Sequence, residues 1–175
     1  MSPPEIWGPP IWTLIHTLCE KLNENAYNQI SPQLYNYIIA ICKFLPCPEC
    51  SQHATKSLAK VPYSTLKNKT DFKNNFYLFH NSVNSRKQKQ LFKYSDLNKY
   101  NQYNVINVVN NFISSYHTRG NMNMLNDSFQ RKLIIQKFKS WFTSCVRAFV
   151  PTLNVPPLLT NVSDDLVLDI SGNDV

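Results

Sequence analysis

Phe44-Leu45-Pro46-Cys47-Pro48-Glu49-Cys50 places a C-x-x-C pair between two helix-compatible segments. Two cysteines three positions apart at the first turn of a helix face the same way and lie close enough to bridge. They also sit where unsatisfied backbone N–H groups stabilise a thiolate. A thiolate is what thiol–disulfide exchange needs. The same spacing serves zinc sites and structural bridges, so the stretch alone leaves three chemistries open.

The segments on either side fix how the pair is presented. Upstream, Ser31-Pro32 reads as a hydroxyl cap with proline at the first helical position, and Leu34, Ile38, Ile41, Cys42 and Leu45 make the buried stripe that follows. Pro46 ends that helix, because proline disfavours helical geometry in the residue before it. Downstream, Ser51 to Lys60 reads as a second helix with His53 three residues after Cys50. The pair is therefore delivered at a helix-to-helix junction.

Further out, Pro9-Pro10 reads as the end of an extended lead-in, and Ile11 to Leu22 carries apolar residues at helical spacing. Trp12 and His16 are four apart on one face of it, with Cys19 a turn later. A core anchor and a satisfied core histidine account for them as well as a ligand site does. Thr70-Asp71 can cap a further helix with Phe72, Phe76, Phe79, His80 and Val83 at helical spacing. On it His80, Val83 and Asn84 share a face, which suits the wall of a flat polar ligand and equally a helix end tied down by its own asparagines. The run Arg86-Lys87-Gln88-Lys89 can meet phosphates or water.

Residues 93–104 read as a polar, tyrosine-rich connector. Beyond it, Val105 to Tyr116 reads as a helix ended by Arg119-Gly120. Asp127 to Phe149 reads as a longer one with Phe129, Leu133, Phe138, Trp141, Phe142, Cys145 and Phe149 on one face, a core or interface stripe. From Pro151 the chain is acidic and punctuated by proline, so an extended or disordered tail is expected. No internal repeat occurs.

Composition bounds the rest. The 175 residues suffice for one well-buried domain, and three glycines suit helices better than a turn-rich β-sandwich, so the expected class is all-α. All eighteen Lys and Arg precede residue 151 with seven of the eleven acidic residues, and the last four aspartates give the tail the opposite sign. A basic body can bind nucleic acid or acidic surfaces, or simply stay soluble. No apolar run reaches a membrane span, and Met1-Ser2-Pro3-Pro4-Glu5 has no signal-peptide character. A cytosolic setting is expected, in which five cysteines favour a catalytic or metal-binding pair over a disulfide scaffold.

Trp12-x-x-x-His16, then Phe44-Leu45-Pro46-Cys47-Pro48-Glu49-Cys50, then His80-Asn81-Ser82-Val83-Asn84 together resemble the Erv/ALR family of FAD-linked sulfhydryl oxidases, in order and in separation. The resemblance covers roughly residues 5–92. It implies an all-α, Erv-type four-helix bundle with FAD at its mouth, here with additional C-terminal helices, and a homodimer. The expected division is an oxidase core over 1–100, an additional helical region over 101–150 and the tail over 151–175. By resemblance Trp12 packs on the flavin nucleotide, while His16, His80, Asn81, Val83 and Asn84 line its two ring systems. Gly8, Arg86 and Lys89 complete the cofactor-binding candidates. Cys47 and Cys50 become the catalytic pair, with Cys47 meeting the substrate dithiol. Cys50 then lies nearest the flavin, and electrons pass on to oxygen to give hydrogen peroxide.

Departures from the pattern carry information too. Pro9 stands where the family often has arginine, Gln88 where it has glycine, and Lys93-Tyr94-Ser95 lacks the cysteine of a structural bridge. No second C-x-x-C or C-x-C exists, so a small shuttle dithiol protein is the expected intermediary to protein substrates. Cys19 and Cys42 read as reduced core residues, with a bridge between the first two helices as the other option. The minimal core, rich in Asn and Lys, looks like versions encoded by large DNA viruses. Host cytoplasm or virion is then the expected location, and the mitochondrial intermembrane space the other reading. The rivals are a zinc module using Cys42, Cys47, Cys50 and His53, and a basic nucleic-acid-binding protein.

Overall fold

The computed structural model describes residues 3–116 and 125–150. The helix end expected at Arg119-Gly120 and the tail expected from Pro151 lie outside the described residues. The described residues form six α-helices: α1 (Pro4–Lys21), α2 (Tyr27–Lys43), α3 (Pro48–Leu58), α4 (Lys69–Arg86), α5 (Val105–Tyr116) and α6 (Leu125–Cys145). Short 3-10 turns join several of them, and no strand occurs among the described residues.

Several helix starts differ from the sequence reading: α3 begins at Pro48 and α6 at Leu125, and for α1, α2 and α4 the reason is local. Pro9 and Pro10 lie inside α1, not before it, and the helix begins at Pro4 after an extended Pro3. Gly8 has no Cβ and Pro9 has no N–H, so the clashes that a proline ring imposes on its predecessor are reduced at both junctions. Ser31-Pro32 is likewise internal to α2. Ser31 is fully buried and its hydroxyl donates back to Tyr27 O at 2.6 Å, a bond available only inside a helix. For α4 the cap is Asn68, whose side chain accepts the Asp71 N–H at 2.9 Å, and Asp71 accepts the Lys67 N–H at 3.0 Å.

The core is one continuous buried cluster to which all six helices contribute. Leu14, Ile15 and Leu18 of α1, Leu34 and Ile38 of α2, and Phe72 and Phe76 of α4 are all at or near zero exposure. Each such side chain contributes about 1.5–3 kcal/mol by leaving water. The helices beyond the four add to the same core: α1 lies against α4 and α5, and α2 against α3 and α6. Phe138, Phe142 and Phe149 bury as the stripe predicts, but Phe129 is 56% exposed, because it precedes the point where α6 meets α2. Residues Tyr94–Gln102, read as a plain connector, form a 3-10 helix with Leu97 and Tyr100 buried against α1.

Candidate functional site

The dithiol sits at the turn between α2 and α3. Cys47 is the N-cap of α3, with Pro48 at the first helical position, and Cys47 Sγ accepts the Cys50 N–H at 3.2 Å. The two cysteines are bridged, with their Cα atoms 5.2 Å apart. Once reduced, Cys47 is the member facing the free N–H groups of the first turn, which favour its thiolate.

A cavity of about 590 Å³ opens between α1, α3 and the end of α4, and Cys50 lines it whereas Cys47 does not. Gly8 and Trp12 bound it from α1, and His80, Val83, Asn84 and Arg86 from α4. The Trp12 and His80 rings stack at 4.0 Å with 6° between their planes. His16 stands behind them, 1% exposed, with its Nε2 2.9 Å from His80 Nδ1. It supports the wall and does not line the cavity. Burial, then His80 and Lys99, push His16 down to about 3, and burial with Lys99 pushes His80 down to about 4. Both rings are neutral at pH 7, which lets one nitrogen of the pair donate and the other accept.

The end of α4 is built to turn the chain back over the cavity. Gln88 has φ 54°, the left-handed position at which a helix stop favours glycine. Its N–H donates to Ser85 O at 3.0 Å and the Lys89 N–H to Asn84 O at 2.9 Å, a Schellman stop. Glycine would take this conformation freely, so Gln88 is strained here. Asn81 is not on the cavity wall. Its amide donates to Phe92 O at 2.9 Å and accepts the Phe92 N–H at 2.8 Å, holding the returning segment in place. Asn84 donates to Gln90 O at 3.3 Å.

Arg86 lines the cavity but its Nη1 is 2.5 Å from Glu49 Oε1, an ion pair between α4 and the residue inside the C-x-x-C. Hydrogen bonding to Arg86, then the charge of Lys87, hold the Glu49 carboxyl below its usual range. Lys89 lines the cavity as well, together with Lys87 of the same basic run and with Lys99, which the sequence reading did not single out.

Phe92, Tyr100 and Cys42 also line the cavity. The Lys99 ammonium lies 4.9 Å from the Phe92 ring centre and 5.2 Å from that of Tyr100. The three-residue spacing of Leu97 and Tyr100 was the one available signal, since it marks a buried face on what otherwise reads as a polar connector. Cys19 and Cys42 are buried free thiols. Burial pushes Cys42 up to about 12 and raises Cys19 also, so neither supplies a thiolate. Among the described residues no group of three or more His, Cys, Asp or Glu is arranged to hold a metal. Nor is any described helix long and apolar enough to cross a membrane.

The arrangement suits a flat, anionic, redox-active ligand, with ring stacks on one wall, a disulfide on another and lysines at the rim. The FAD-linked sulfhydryl oxidases of two African swine fever virus isolates are each 31% identical to this chain over 90 residues, which is 51% of this chain and 75% of theirs. A protein of Invertebrate iridescent virus 6 is 30% identical over 94 residues, 50% of this chain and 85% of its own. No solved structure matches the chain. The family model for Erv1 / Alr spans residues 9–104, more than half the length and including every element around the cavity except the first turn of α1, and on that ground the chain belongs to the Erv1/Alr family.

Proposed function

We propose that this chain is an FAD-linked sulfhydryl oxidase that makes disulfides in protein thiols. The observation that carries the reading is a shared cavity, bounded by both Cys50 and the Trp12–His80 stack. Its 590 Å³ falls within the roughly 300–1,000 Å³ of small-molecule and cofactor sites. Trp12, Phe79 and Phe92 offer ring faces, and Lys87, Lys89 and Lys99 offer cations for a pyrophosphate. The residues therefore fit FAD.

Exchange begins at Cys47, because Cys50 faces the cavity that the cofactor fills. A substrate thiolate attacks Cys47 Sγ. A substrate–Cys47 bond forms, the Cys47–Cys50 bond breaks, and its electron pair stays on Cys50. The second substrate thiolate then attacks the substrate sulfur of the mixed disulfide. The product disulfide closes, and Cys47 leaves as a thiolate facing the first turn of α3. Bound FAD would supply the two-electron acceptor for the reduced pair, with oxygen as the final oxidant and hydrogen peroxide as the product. Trp12, His80 and Phe92, which line the cavity, would hold the ring system and exclude water. The neutral His16–His80 pair keeps that wall free of charge.

The same proposal makes the chain a viral version of the family, acting as a homodimer in host cytoplasm or virion. Protein dithiols reach Cys47 directly or through a small shuttle dithiol protein, since the five cysteines include no second closely spaced pair. Replacing Cys50 with Ser tests the reading: flavin stays bound, and turnover of dithiothreitol falls by about a thousandfold or more. Parental turnover in Cys50→Ser would contradict it.

A further inference from the structure

Two side chains from beyond the matched segment reach the end of α2. Tyr116, the last residue of α5, is fully buried, and its hydroxyl lies 2.9 Å from Ile41 O and 3.2 Å from Phe44 O. Arg131 of α6, 1% exposed, donates from Nη1 to the same Phe44 oxygen at 3.3 Å. Ile41 O also accepts the Phe44 N–H at 3.3 Å, whereas Phe44 O lies past the last bond of the helix, and buried without a donor it would destabilise the fold. Phe44 is the C-cap of α2, three residues before Cys47, with Leu45 and Pro46 buried between. From the other side Ser51 of α3 donates its hydroxyl to Lys43 O. The chain leading into the redox pair is thus held from two directions.

Core filling alone does not account for this choice of residues. A buried guanidinium carries a desolvation cost that an apolar side chain of similar volume avoids. What an arginine adds is a fixed cationic donor, and at the C-terminus of a helix it also meets the negative end of the macrodipole. The direction in which the chain enters α3 sets whether Cys47 can occupy the N-cap and how often the two thiols meet. Freedom gained there lowers their effective concentration towards each other, and so the stability of the bridge.

We propose that α5 and α6 clamp the chain that presents Cys47, with Tyr116 and Arg131 as positioning residues for the redox pair. The kinetic consequence rests on the oxidase reading; the effect on the dithiol equilibrium does not. The test uses the full chain with FAD present and the variants Tyr116→Phe, Arg131→Met and Arg131→Lys. Four quantities are read: bound flavin, the unfolding midpoint, dithiothreitol kinetics, and the anaerobic equilibrium of Cys47–Cys50 with glutathione, followed by alkylation and mass.

Tyr116→Phe and Arg131→Met are expected to keep flavin and move the equilibrium about fivefold towards the dithiol. Their kcat falls on the order of tenfold with KM within twofold. Arg131→Lys, which keeps cation and donor, stays near parental. A lower unfolding midpoint with parental equilibrium and kcat in both Tyr116→Phe and Arg131→Met would make the contacts structural only and overturn the clamp. Should Arg131→Met fail to fold, Tyr116→Phe, which loses a single oxygen, decides alone. A parental chain that binds no flavin and does not turn over removes the oxidase reading. The glutathione shift in Tyr116→Phe then still supports the clamp, and its absence overturns it.

Discussion

The aromatic side chains of α1 and α4 and those of α6 are spaced alike in sequence and serve opposite ends. In α6 and the turn that follows it the rings close on each other: Phe138 lies 5.8 Å from Trp141 and 6.0 Å from Phe142, and Phe149, past the end of α6, lies 5.7 Å from Phe142. No open face is left among these four rings, and Phe138 and Phe142 are completely buried. Around Trp12 the rings are as close, with His80 at 4.0 Å and Phe79 at 5.2 Å, yet one side of the group opens into the cavity. The difference lies in what is interleaved. Histidines occupy two of the ring positions beside Trp12, and the Schellman stop at Gln88 carries the backbone over the gap and leaves it unfilled. An aromatic stripe makes a core unless polar rings and a chain reversal hold it open.

Truncating the closed stripe should have the largest effect on stability. Phe142→Ala is expected to cost about 3–5 kcal/mol in denaturant unfolding, while flavin bound per folded molecule stays parental. A Phe142→Ala protein of parental stability that had lost its flavin would erase the distinction between the two regions.

The open stripe should reveal itself through pH. Unfolded, histidines titrate near 6.5; folded, His16 is held down to about 3 and His80 to about 4. The unfolded chain takes up more protons as pH falls, so the stability these residues contribute is whole above about 6.5 and is lost as pH drops towards 4. The slope is at most ~1.4 kcal/mol per pH unit for each histidine. His80→Gln should flatten it. An equally steep decline in that variant would show that the pair is not what titrates.

Trp12→Ala should weaken flavin binding about tenfold, read by fluorescence titration, with a smaller loss of stability than Phe142→Ala. Equal flavin affinity in parent and variant would remove Trp12 from the wall. The smallest expected change is a gain. Gln88→Gly relieves a left-handed backbone and should raise unfolding stability by roughly 0.5–1 kcal/mol. A loss would mean that the Gln88 side chain contributes something its backbone angle does not reveal.

The candidate site residues were the easiest to read, because chemistry restricts residue type. Cys47, Cys50, Trp12, His16 and His80 stand out in the sequence, and the structure brings the last four together around one cavity and its backing. Features set by tertiary packing were not legible. Local rules treat Pro9, Pro10 and Pro32 as breaks, and they lose to the burial gained by running α1 and α2 through them. Asn81 reads as a ligand until Phe92, eleven residues on, is seen to take both ends of its amide. Lys99 and Tyr100 have no motif around them, and their place at the cavity follows only from the fold of the Tyr94–Gln102 turn against α1.

The most direct test of the account is the visible absorption spectrum of the purified protein, followed by dithiothreitol without oxygen and then by air. A flavin spectrum that bleaches with the dithiol and returns with oxygen is the result predicted. A colourless protein, prepared with FAD present throughout, or a bound flavin that dithiothreitol cannot reduce, would contradict it.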